Sequence, residues 1–121
     1  METARLEAEV FSALKNDIEI MELLPKGESS IFHLQAPAVY PDYPILVYSV
    51  ISDTPVTFGD NKEKFHSVIF RIHIIAEDYS ELYSAVKRVM AELDFTRVQA
   101  TPFFEDKTRM LITDFRIVIG G

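Results

Sequence analysis

A chain of 121 residues, 48% hydrophobic and 26% charged, is sized for one domain (residues 1–121) with a real core, and its composition excludes wholesale disorder. The net charge of −7, with no run rich in Lys or Arg, excludes a phosphate-driven grip on free DNA or RNA, since counterion release needs clustered cations. No cysteine is present, which removes disulfide frameworks, thiolate metal sites and cysteine nucleophiles together and fits a reducing compartment. The opening Met1-Glu2-Thr3-Ala4-Arg5-Leu6-Glu7 has no basic or apolar region of a signal peptide, and the longest apolar runs are strand-sized. The chain is expected in the cytoplasm of the cell that makes it, away from membranes.

In chain order, Leu6, Val10, Leu14 and Ile18 recur every four residues, with Phe11 and Ala13 widening the stripe, and predict an amphipathic helix capped by Thr3. Asn16-Asp17 marks its end or a kink, and residues 17–24 add another helical turn or two before Pro25-Lys26-Gly27 breaks them. Ile31-Phe32-His33-Leu34 is a short strand. Pro37 and Pro41 then enforce an extended loop, and residues 45–51 form a strand apolar on both faces. The polar, turn-rich stretch from Asp53 to Lys64 predicts a long loop or flexible arm between two central strands.

Beyond it the pattern alternates. Val68, Phe70, Ile72 and Ile74 point one way, and Ser67, Arg71 and His73 the other. Asp78-Tyr79-Ser80-Glu81 resembles a capping box for a helix that buries Leu82, Val86, Val89, Met90 and Leu93 and ends at Asp94. Two strands follow, residues 95–101 and 109–119, joined by the turn Glu105-Asp106-Lys107-Thr108; Leu111, Thr113, Phe115, Ile117 and Ile119 share a face opposite Asp114 and Arg116. The expected fold is α+β, two helices on one face of a mainly antiparallel sheet of four to five strands.

Chemistry-bearing patterns are sparse. His33, His66 and His73 form no ligand pair at metal-binding spacing, and the seven-residue step puts His66 and His73 on opposite faces of a strand. Glu105 with Asp106, and Asp53 with Asp60, read as solvated turn carboxylates rather than acid/base pairs. No nucleophile elbow, phosphate loop or dinucleotide fingerprint occurs. The expectation is no enzyme, no cofactor and no metal. Tyr40, Tyr43, Phe58, Phe65, Phe103 and Phe104 lie in or beside loops stiffened by proline; any single one can equally fold back as a core plug, but together they point to contact surface.

Taken in order, these blocks resemble a known family. Ile31-Phe32-His33-Leu34-Gln35-Ala36-Pro37, Tyr43-Pro44-Ile45-Leu46-Val47-Tyr48, Phe58-Gly59-Asp60-Asn61-Lys62, Arg71-Ile72-His73-Ile74, Val89 to Arg97, Phe104-Glu105-Asp106 and Asp114-Phe115-Arg116-Ile117 are similar to the series found in tail-completion proteins of long, non-contractile-tailed phages. One departure is Asp94, where the family has glycine; Asp tolerates a left-handed helix end better than most residues. The resemblance implies a structural virion protein of the tail or neck, related to tail terminators and head–tail joining proteins of phages and prophages, found in the host bacterial cytoplasm before assembly. It implies a ring, typically hexameric, with the tail-tube protein and the head-connector protein as partners. Partner contacts are expected at Phe58, Asp60, Asn61, Lys62, Arg71 and His73. The competing expectation is a small-ligand-binding or regulatory α+β domain without catalytic activity, which needs an enclosed pocket.

Overall fold

The computed structural model describes residues 2–35, 43–58, 62–105 and 108–120. The elements run α1 (Glu2–Lys15), α2 (Ile18–Leu23), a 3-10 turn (Gly27–Ser30), β1 (Ile31–His33), β2 (Ile45–Phe58), β3 (Lys62–Ala76), α3 (Ser80–Glu92), β4 (Thr96–Glu105) and β5 (Thr108–Gly120). The strands form one sheet in the order β1-β2-β3-β5-β4, antiparallel except for the parallel β1–β2 pair. The fold is α+β, with three helices packed with a five-stranded, mostly antiparallel sheet.

The helices bury one face of that sheet. Leu6, Val10 and Leu14 of α1, Ile20 of α2 and Leu82, Val86, Val89 and Met90 of α3 join Leu46, Tyr48, Val68, Phe70, Ile72, Ile74, Leu111 and Phe115 in a single cluster. Register explains the selection. Tyr48, Ile72 and Thr113 lie in one row across three strands, and Phe70 and Phe115 in the next, so the period-two pattern of each strand lands on the same side. Phe70 meets Phe95 edge-to-face at 5.4 Å, and complete burial of such a ring stabilises by about 2–3 kcal/mol.

Ile18 departs from its expected place in the buried stripe and is 75% exposed. The helical phase breaks at Asp17, whose extended backbone starts α2 afresh and whose carboxylate accepts from the Ile20 N–H at 3.1 Å. Ile20 then takes the buried position. Asp17 also accepts from Arg88 at 2.8 Å, which ties α2 to α3. The capping box is likewise replaced. Helix α3 begins at Ser80, and Asp78 accepts from the Ser80 N–H and hydroxyl instead.

The stretch expected as a long loop is largely strand. Residues 53–58 of β2 pair with 62–68 of β3. Val56, Thr54 and Thr57 favour the extended state, and β1 flanks only residues 46–48 of β2. Pro55 therefore sits on a sheet edge, where a missing N–H costs least. A bulge between Val50 and Ser52 turns Ile51 outward, 43% exposed, and shifts the alternation so that Asp53 and Pro55 lie on the helix-covered side.

Helix α3 closes with Asp94 at φ 70°, the Asp94 N–H donating to Ala91 O and the Phe95 N–H to Met90 O, each at 3.0 Å. This is the paired closure that usually recruits glycine. Leu34 also has a positive φ, 72°, with the Gln35 N–H donating to His33 O at 2.9 Å, a tight three-residue turn that ends β1.

Candidate interaction surface

The second face of the sheet carries no helix of the described residues. The register places Val47, His73, Ile112 and Thr101 in one row, Ser49, Arg71, Asp114 and Gln99 in the next, and Ser52, Ile69, Arg116 and Thr96 beyond it. At the end of the sheet where β2 begins and β3 ends, Ile45, Val47 and Ile75 form a small buried cluster with Phe32 of β1 and Met110 of β5 against it. Phe103 stands at that end of β4, 46% exposed, and Phe65 and Val118 stand at the opposite end of the strands, 41% and 53% exposed.

At the centre, Arg71 grips Asp114 with two bonds, Nε to Oδ1 at 2.9 Å and Nη2 to Oδ2 at 3.1 Å. Gln99 Nε2 donates to the same Oδ2 at 2.8 Å, Thr101 donates to Gln99 Oε1, and Thr113 donates to Gln99 O. Planar bidentate geometry makes this stronger than an ordinary surface ion pair. Burial alone would raise the Asp114 carboxyl, but the hydrogen bonds from Arg71 and Gln99 and the guanidinium charge outweigh it and hold the group below its usual range. His73 next to this pair goes down, first because it is half-buried and second because Arg71 is cationic, with Asp114 opposing.

Arg71 and His73 are thus brought together as two-apart neighbours on β3. Phe58 ends β2 and Lys62 starts β3; their side chains, and Asp60 and Asn61 altogether, lie outside the described residues, as does Tyr40. Sequence reasoning missed the roles of Asp114 and Gln99. Asp114 and Arg116 were visible as outward residues of their strand, but only the β3–β5 register sets Asp114 opposite Arg71.

Two further pairs lie on the helix-covered side. His66, 8% exposed, bonds Asp53 through Nδ1 at 2.6 Å; the two are diagonal neighbours across β2 and β3. His33 Nε2 meets Glu7 of α1 and stacks on Tyr48 at 4.9 Å, and burial, then the Glu7 charge, raises the Tyr48 hydroxyl. Among the described residues no three His, Asp or Glu side chains converge to hold a metal ion, and no helix is long and apolar enough to cross a membrane. An open groove of about 460 Å³ runs along α1 past Ala8, Ser12, Ala13 and Leu93. A second, of about 300 Å³, lies between Leu23, Pro44 and Leu82 with Asp78 and Glu81 at its rim.

No family model matches the chain, and none of the curated proteins matches it.

Proposed function

We propose that this chain is a structural virion protein that completes a phage tail tube and joins it to the head connector, acting as a ring, in six copies by the resemblance, and without catalysis. The observation that carries the reading is the second sheet face. Exposed Phe65, Phe103 and Val118 flank a rigid Arg71–Asp114–Gln99 network there, the mixture of apolar anchors and fixed polar groups that protein interfaces use. The ordered series of family-like blocks and the α+β architecture support it.

The test is co-sedimentation of the purified chain with tail tubes of its parent phage or prophage, with the tube ends imaged. Bound protein confined to one end is expected. Tubes that sediment without it, with unaltered ends, would sink the proposal.

A further inference from the structure

The whole excess negative charge sits in the helical part of the molecule. Residues 2–30 and 77–94 hold twelve carboxylates against five Lys and Arg, while the remaining residues hold seven of each, so the net −7 belongs to the first set. The described side chains of the second sheet face carry a single cation in excess. The charged ones are Arg71, Arg116 and Asp114, with His73 beside them, and Asp114 is already neutralised by Arg71. Arg116 is exposed and has no ion-pair partner among the described residues, and Val118 stands two residues on along the same face.

On the other side of the molecule, the groove between α2 and the start of α3 has the complementary make-up. Leu23, Leu82 and Pro44 form its apolar bed, and Asp78 and Glu81 its carboxylate rim, with Glu22 and Glu77 adjacent in the chain. Glu81 is exposed and has no ion-pair partner among the described residues.

We infer that these two surfaces are made for each other: the Arg116–Val118 end of the second sheet face of one copy seats on the Leu23–Asp78–Glu81 groove of the next. The inference rests on the ring reading and names its contact. The occupant is a second copy because one chain carries both Arg116, exposed beside Val118 and unpaired among the described residues, and the acidic-rimmed groove that accepts it. The patches lie on opposite layers of the molecule, so the contact is heterologous. Repeated from copy to copy, it closes into a ring or runs on as a filament, whereas an isologous pairing would stop at two. Arg116 supplies the charge that meets Glu81, since Asp78 is already engaged by the Ser80 N–H and hydroxyl, and Val118 and Phe65 supply the apolar area that meets Leu23 and Pro44. Salt weakens the contact because both charged partners are exposed before they meet.

The test is reciprocal charge reversal read by sedimentation at the highest soluble concentration, with circular dichroism confirming that each variant folds. Arg116→Glu alone and Glu81→Lys alone are each expected to weaken self-association by about tenfold or more. An equimolar mixture of the two variants is expected to regain it, since every alternating contact again joins opposite charges. Because the chain has no cysteine, Val118→Cys is an added probe: efficient disulfide dimers from that variant by itself would mean the sheet faces meet each other, and would overturn the inference. So would singly reversed variants that associate like the wild type, an acidic peptide that binds Arg116 while the chain stays monomeric, or a chain that caps tubes without contacting its own copies. The last result would leave the tail reading standing. Association that obeys the charge rule in a protein that ignores tube ends would do the reverse.

Discussion

The two sides of the sheet come from the same four long strands and differ by one residue of phase. On the helix-covered side, Val68, Phe70, Ile72 and Ile74 are fully buried in one continuous cluster. On the other side, the interleaved Ile69, Arg71 and His73 are only half-buried, and the polar network around Asp114 replaces the packed rings. Folding energy is concentrated on the first side because apolar area leaves water there. The second side keeps one ordered ion pair in an otherwise mixed surface, and such a pair sets position more than it adds stability.

The widest test of that division is truncation on each side. Phe70→Ala removes a ring that is 0% exposed and is expected to cost about 3–5 kcal/mol, whereas Val118→Ala is expected to stay within about 0.5 kcal/mol. Denaturant midpoints measure both; comparable losses would erase the distinction between the faces. Next in size is Asp114→Ala, which leaves Arg71 and Gln99 unanswered. Because the Arg71 side chain remains 37% exposed, water recovers part of the loss, and about 1–2 kcal/mol is expected. In the double variant Arg71→Met/Asp114→Leu most of that loss returns if the network serves position, and persists if it serves stability.

The smallest effect is a pH dependence. Folding lowers the His73 pKa below its ordinary 6.5, so the unfolded chain binds the proton more readily and acid favours unfolding. The His73 contribution is complete above about pH 6.5 and is lost as the pH falls toward the lower, folded-state value. His73→Asn should flatten stability curves in that interval. A His73→Asn curve parallel to the wild type would show that the second face does not hold the imidazole neutral.

Much of this architecture was legible beforehand, for identifiable reasons. The α+β class, the buried stripes of α1 and α3, and the opposed faces of His66 and His73 follow from periodicity, which local sequence carries directly. The end of α3 at Asp94 was legible too, while its left-handed turn was expected only from the glycine that the resemblance puts there. Ile18 misled because a cap at Asp17 resets helical phase without interrupting the apolar rhythm. The 53–58 strand was hidden because turn-forming residues there are tolerated by an edge, and edge status belongs to the whole sheet. The parallel β1–β2 pair and the Arg71–Asp114 contact, 43 residues apart in sequence, depend on strand order, which no local pattern encodes.

The outer margin of the sheet has its own consequence. Strand β4 has ten residues and pairs on one side only, with β5, the exposure that invites unrelated chains to add strands. Pro102 interrupts its row of donors, and the irregularity between Arg97 and Gln99 pushes Val98 out of line. Both features blunt growth by strand addition, so copies crowded together are steered away from fibrils. Straightening this margin, with Pro102→Val and Val98 deleted, would turn a guarded edge into a template that recruits without limit.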